Sequence, residues 1–305
     1  MTIEILAENA GRRLDKFLFA YFNNASHFLI YKLLRKKRIK LNDTRAEGNE
    51  ILSAGDVLRI FLSDETLADM RKDREIHVAK ALTGIRYEDE NILVVNKPAG
   101  LASHGGMKND DSLLARVLYY LHKTDFTPAL CNRLDVNTSG LVICGKSIHG
   151  LQAVNALFAC GGIKKEYIAA VHGRPGNLRE THTLRGRYKK NPHTNTAEVF
   201  DKQVPESKEI ITKFTVLEYM GDFSLVLLEP ITGRSHQLRV HMAKIGHPLC
   251  GDKKYGSPPV SFAKHQLLHC SRLTITGESS LPYLKGMSFS AIDPSWVNQL
   301  QKRRG

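Results

Sequence analysis

The sequence predicts an α+β protein: a mixed, largely antiparallel β-sheet domain preceded by a small α/β domain. Three observations predict it. From about residue 81 onward, strand-like runs outnumber helical ones and many follow one another directly, which disfavours a doubly wound fold. Residues 1–62 instead join two amphipathic helical stripes to short extended pieces. Between the two lies "SDETLADMRKDREIHVAK", residues 63–80, polar and weakly periodic, which reads as a linker or helical connector. The expected organisation is a domain over 1–62, a linker over 63–80 and a second domain over 81–305.

In the first domain, "LDKFLFAYF" sets Leu14, Phe17, Leu18, Tyr21 and Phe22 at the i, i+3, i+4, i+7 and i+8 positions of one helix face. Ser26 is the candidate cap of a second helix, "HFLIYKLLRKK". "RIKLN" and "VLRIFL" follow as strands, with "AGD" as the turn between them. Six of the nine residues in "KLLRKKRIK" are cations: Lys32, Arg35, Lys36, Lys37, Arg38 and Lys40. So short a helix cannot bury them all, so they form an exposed ridge, either a solvated face or a surface that tracks phosphates.

In the second domain the strand candidates are "NILVVNK", "GLVICGK", "KEYIAAVHG", "KFTVLEY", "FSLVLLEP" and "RLTIT". Helices are expected to begin at Ser112 ("LLARVLYYLHK"), Ser147 ("IHGLQAVNALFAC") and Ser235 ("HQLRVHMAKI"). Gly161 and Gly162 stop the second, and Gly246 and Pro248 the third. The stretch 174–210, containing "GRYKKNPHTNT", reads as basic and loop-like.

The 305 residues carry 44 Lys+Arg against 31 Asp+Glu, a formal charge of +13. That excess favours a polyanionic partner, nucleic acid ahead of a membrane surface. Five scattered cysteines form no C-x-x-C pair and read as reduced thiols of a cytoplasmic protein. The N-terminus lacks the pattern of a signal peptide, and no apolar run is long enough to span a bilayer. There is no P-loop, dinucleotide glycine fingerprint, G-x-S-x-G elbow or zinc-ligand spacing, and His236 and His241 are five apart rather than four. Polar residues at strand and helix junctions remain. Asp135 lies in "NRLDVNTSG" just before a strand, Arg234, His236 and Arg239 lie in "TGRSHQLRVH", and Tyr167 lies on a strand behind a lysine pair. Each alone is ordinary: a turn Asp is usually a cap, an Arg usually surface, a strand Tyr usually core.

Together they resemble a known family. "NRLDVNTSGLV" is similar to the R-L-D-x-x-T-S-G motif of the Rlu family of large-subunit ribosomal RNA pseudouridine synthases. "ILVVNKPAGL" resembles that family's strand and K-P-x-G segment, and "KKEYIAAVHG" its K-x-Y-x-A strand. "TGRSHQLRVHMAKIGHPLCGDKKYG" resembles its long T-G-R-x-H-Q block, and "LLHCSRL" its L-H-A-x-x-L. Residues 12–62 resemble the small RNA-binding domain first named from ribosomal small-subunit protein four, which precedes the catalytic domain in the RluC and RluD types.

The resemblance implies a pseudouridine synthase fold and an enzyme that isomerises specific uridines in large-subunit rRNA. It implies base flipping, one catalytic carboxylate and no cofactor or metal. Asp135 would be the nucleophile or would stabilise a cationic sugar, and Arg234 would keep it ionised. Tyr167 would stack on the uracil and accept a proton, and Arg133 would enter the space left by the flipped base. The ridge from Lys32 to Lys40 and the cations Arg187, Lys189 and Lys190 are expected to grip the RNA backbone. Asn132 departs from the family, which commonly has His there, so no obligatory acid–base role falls on that position. Two other readings share these residues: a synthase acting on tRNA, and a non-catalytic RNA-binding assembly factor. A glycoside hydrolase would need a second acid in the motifs. A monomer is expected.

Overall fold

The computed structural model describes residues 1–22, 25, 27–71, 80–105, 111–122, 126–191, 194 and 196–302; the expected cap Ser26 and the centre of the expected linker lie outside these. The chain divides into two compact units, Met1–Ile76 and His77–Gly305.

The first unit contains β1 (Thr2–Glu4), α1 (Leu14–Tyr21), α2 (His27–Arg35), β2 (Ile39–Leu41), β3 (Thr44–Arg45), β4 (Val57–Ile60) and α3 (Asp64–Arg71). Its strands form an antiparallel sheet in the order β1-β4-β2-β3. The α1 stripe buries Leu14, Phe17, Leu18 and the adjoining Phe22 against Ile30, Leu33 and Leu34 of α2 and Ile39, Leu58 and Ile60 of the sheet. Leu67 and Met70 of α3 join this core, their i, i+3 spacing placing both on one helix face. Lys32, Arg35, Lys36, Lys37 and Arg38 are all exposed, and the half-buried Lys40 holds its ammonium 5.7 Å from the centroid of the Phe61 ring.

The second unit contains β5 (Ile85–Glu88), β6 (Ile92–Lys97), α4 (Leu113–Leu121), β7 (Ala129–Leu130), β8 (Ser139–Gly145), α5 (Ile148–Cys160), β9 (Ile163–His172), β10 (Thr181–Asn191) and β11 (Thr196–Phe200). It continues with β12 (Lys208–Met220), β13 (Phe223–Pro230), α6 (Gln237–Lys244), β14 (Leu268–Ile275), β15 (Ser288–Ser290) and α7 (Ser295–Gln301). One mixed sheet runs β11-β10-β12-β13-β9-β14-β8-β6-β5, with β15 on β14 and β7 on β8. Its pairs are antiparallel except β14 with β8. The α+β class follows, with antiparallel runs on either side of that parallel junction.

Local sequence explains most boundaries. The Ser112 hydroxyl accepts the Ala115 N–H at 3.2 Å and the Ser147 hydroxyl accepts the Gly150 N–H at 3.0 Å, capping α4 and α5. Within the basic stretch read as loop, β10 and β11 pair as a hairpin. Its alternation is present but quiet: Leu184, Gly186 and Tyr188 share one side while Arg185, Arg187 and Lys189 share the other, and only Tyr188 is fully buried. The α6 helix begins at Gln237, one residue later than expected, because His236 adopts φ 58° and occupies the cap position in place of Ser235.

Two apolar cores flank the junction of the sheet. One packs Val94, Leu141, Ile143, Val154 and Leu157 between β6, β8 and α5. The other packs Ala169, Val226, Leu228, Leu238 and Met242 between β9, β13 and α6. Tyr167 touches both. No helix among the described residues is long and apolar enough to cross a membrane.

The glycine of "TSG" is demanded by the junction. Gly140 has φ 112° and lies in register with Cys270, where a Cβ would overlap the Cys270 carbonyl oxygen and amide nitrogen. Gly140→Ala is therefore expected to destabilise the protein by at least about 3 kcal/mol, read as a fall in the denaturant midpoint. A midpoint equal to that of the unaltered protein would refute the close approach.

Candidate active site

Asp135 sits on the irregular segment between β7 and β8, where its carbonyl accepts the Thr138 N–H at 3.0 Å and closes a turn. Its carboxylate meets a buried guanidinium. Arg239 of α6 donates from Nη1 to Asp135 Oδ2 at 2.9 Å, and from Nε and Nη2 to Asp252 at 2.7 and 2.8 Å. The Asp252 side chain is 1% exposed and that of Arg239 7%, whereas that of Asp135 keeps 32% of its surface, so the triad runs from a sealed end to an open one. Burial opposes the charge on Arg239, but hydrogen bonds to Asp252 and the attraction of both carboxylates hold its pKa above the ordinary value.

The start of α6 is pinned by Gln237. Its Oε1 accepts the Arg234 N–H at 3.1 Å and the Thr232 hydroxyl at 2.9 Å, and its Nε2 donates to Ile211 O and Thr212 Oγ1 at 3.0 Å. His236 lies with Nδ1 2.9 Å from Tyr255 Oη and Nε2 3.8 Å from Asp135 Oδ2. Burial lowers the His236 pKa against the pull of Asp135.

The segment 134–136 is held from the other side. Lys97, fully buried, donates to Leu101 O at 2.7 Å, Pro98 O at 2.9 Å and Val136 O at 3.0 Å. The Ser103 hydroxyl donates to Leu134 O at 2.8 Å and accepts the Leu134 N–H at 3.1 Å. Asn132 uses its carboxamide as a strand peptide would: Oδ1 accepts the Ile143 N–H at 2.8 Å and Nδ2 donates to Leu141 O at 3.3 Å. Asn132 thus ties the Asp135 segment to β8.

These walls enclose a cavity of about 1200 Å³, lined among others by Arg133, Asp135, Tyr167, Arg234, His236 and Arg239. Tyr167 projects from β9, and its pKa lies well above the usual phenol value, first through burial and then through its neighbours Cys270 and Asp135. The structure therefore gathers Arg133, Asp135, Tyr167 and Arg234 around one space. It corrects one expected contact. The guanidinium on Asp135 belongs to Arg239; Arg234 is exposed at the cavity wall and makes no side-chain ion pair among the described residues. Arg187, Lys189 and Lys190 lie on β10, away from the cavity lining. No group of three His, Cys, Asp or Glu side chains among the described residues is arranged to hold a metal ion.

Residues 91–244 match the family model described as RNA pseudouridylate synthase. The chain belongs to that family. Among curated relatives, the ribosomal large subunit pseudouridine synthase C of Rickettsia felis is 32% identical over 277 residues, covering 87% of this chain and 88% of the relative. The protein of the same name from Salmonella typhimurium is 32% identical, covering 83% and 79%. The solved structure of human RNA pseudouridylate synthase domain containing 4 aligns with a TM-score of 0.57 at 23% identity, over 72% of this chain and 92% of that one. Human RNA pseudouridylate synthase domain containing 1 aligns with a TM-score of 0.53 at 26% identity, over 72% and 94%. The chain is an RNA pseudouridine synthase, an isomerase whose substrate is RNA. Asp135, Tyr167 and Arg239 all lie within its matched segment.

In this synthase Lys97 carries a pH signature. Burial lowers its pKa to about 8, against the pull of Asp135. Between that value and its ordinary 10.5 the unfolded chain binds a proton that the folded chain has released. Stability relative to Lys97→Met should therefore rise with pH through that window, by roughly 3 kcal/mol at most. Denaturation at a series of pH values checks this; parallel curves for the two proteins would rule it out.

Proposed function

We propose that this synthase isomerises uridines in large-subunit ribosomal RNA, with Asp135 as the nucleophile or as the stabiliser of a cationic sugar. The observation that carries the proposal is a single half-exposed carboxylate, held by buried Arg239 and facing a cavity shared with Tyr167. A stacked uracil is out of reach of any side chain, so it must first leave the helix, at a cost of a few kcal/mol. The N1–C1′ bond then breaks, C1′ joins C5, and the proton lost from C5 is balanced by one gained at N1. Nothing is oxidised or imported. One carboxylate with a fixed geometry answers that need.

Arg239 occupies Oδ2 of Asp135, leaving Oδ1 without a hydrogen-bond partner among the described residues and free to face C1′. The guanidinium favours the ionised carboxylate, and Asp252 fixes the guanidinium. Tyr167 stays a neutral phenol near pH 7, so its ring serves as a stacking surface, and its hydroxyl could take up a proton only after giving up its own. Arg133 and Arg234 are cations available to the displaced strand and its phosphates.

The substrate is supported by the names of curated relatives that match nearly the whole chain. We read residues 1–62 as an RNA-binding domain of the ribosomal small-subunit protein four type, and the protein as a cytoplasmic monomer. The exposed ridge supports the RNA-binding reading, because solvent-facing cations gain by releasing counterions from a polyanion.

Mapping pseudouridine across total RNA, with and without the protein, tests the function. Asp135→Asn should bind RNA and leave its target uridines unmodified; persistence of those pseudouridines in the variant would disprove the role of Asp135. For the ridge, Lys32, Arg35 and Lys36 changed together to Gln should weaken RNA binding and lower the slope of log affinity against log salt by about 2–3. An unaltered slope would remove the ridge from the interface.

A further inference from the structure

Lys165 is a half-buried cation at the cavity with no counter-ion among the described residues. Along β9, residues 164 and 166 face one way and 165 and 167 the other. Lys164 is satisfied on its side, with its ammonium 2.9 Å from Glu229 and 3.0 Å from Glu166. Lys165 shares the cavity wall with Tyr167 and makes no hydrogen bond or ion pair among the described residues. Its ammonium rests against the "TGR" turn, 3.7 Å from where a Cβ on Gly233 would stand. Burial lowers its pKa, as it must when water is removed from an ammonium and no acid replaces it.

A group in that state is completed by an anion. The uracil and ribose of a flipped nucleotide are neutral, so the anionic oxygens that can enter with them belong to the RNA backbone. Space permits this: about 1200 Å³ exceeds the roughly 300–1,000 Å³ of ordinary small-molecule pockets, so sugar and phosphate can follow the base inside. We propose that Lys165 binds a phosphate adjoining the flipped uridine and through it positions C1′ against Asp135. This rests on reading the cavity as the site of isomerisation. Lys165 is thus a substrate-binding residue, distinct from the solvated cations whose effect spreads along the RNA.

A synthetic RNA stem–loop with one target uridine tests the assignment, made either with natural linkages or with a neutral methylphosphonate at one of the two linkages flanking that uridine. Binding and single-turnover conversion are both measured. On natural RNA, Lys165→Met should lose about tenfold and Lys165→Arg should stay within about threefold, since Arg keeps the charge. One of the two neutral linkages should bring the unaltered protein down to the level of Lys165→Met and cost that variant nothing further. Equal losses by Lys165→Met on natural RNA and on both neutral RNAs would overturn the proposal, as would no loss at all. If the variant fails to fold, acylation footprinting of the unaltered protein decides instead. Lys165 should be shielded by natural RNA and not by one of the neutral forms; shielding independent of the linkage would overturn the proposal. Absence of turnover by the unaltered protein would count against the functional reading, while the binding comparison would still judge Lys165.

Discussion

The site depends on a buried guanidinium shared by two carboxylates. An arginine as enclosed as Arg239 would be costly alone, because little solvent remains to stabilise its charge. Asp252 meets two of its donors in a fork, and the pair is sealed enough to hold its geometry. The third contact is then directed outward at Asp135. Two acids and one base leave the triad with net negative charge, and the accessible share of it lies on the carboxylate that still meets solvent. The fold thus positions a reactive anion without burying it.

That arrangement asks both walls for precision. On one wall, Gln237 uses both ends of its amide to join the turn before α6 to β12, so Arg239 enters from a fixed direction. On the other, Lys97 and Ser103 satisfy the backbone of the segment carrying Asp135, which lies outside any strand, and Asn132 ties that segment to the backbone of β8. Irregular backbone near a core is tolerated when its polar groups are bonded. Here side chains supply what a sheet ladder would have supplied. The parallel contact of β14 with β8 brings the two walls together, and the absence of a side chain at Gly140 allows it.

Much of this was legible in the sequence. Period and caps located α1, α4, α5 and most strands, and the motifs singled out Asp135, Tyr167 and Arg133. Choosing between Arg234 and Arg239 was not possible from motif spacing, because both lie in one block and only the turn at His236 decides which points inward. A signal was nonetheless present: Arg239 lies between Leu238 and Val240 in a helix with almost every residue buried, and an arginine there must have an acid partner. Asp252, thirteen residues on, could have been sought as that partner. The β10–β11 hairpin was obscured for another reason, since its buried side offers one aromatic ring and its open side a run of cations.

The charge on the cavity wall follows from the same division between paired and unpaired groups. Arg239 is the cation neutralised by both cavity acids, whereas Arg133, Arg234, Lys253, Lys254 and Lys264 have no acidic partner among the described residues. Like charges so close repel one another and weaken the folded state somewhat. A polyanion entering the cavity would relieve that repulsion and gain attraction at the same step. Asp135 would work against such binding if it were fully exposed, because it would repel each phosphate. Held by Arg239, its charge is partly compensated toward the RNA and remains available at short range, where C1′ would stand. The ion triad therefore reconciles two demands that oppose each other in a single pocket, attraction of a polyanion and presentation of an anion to its sugar.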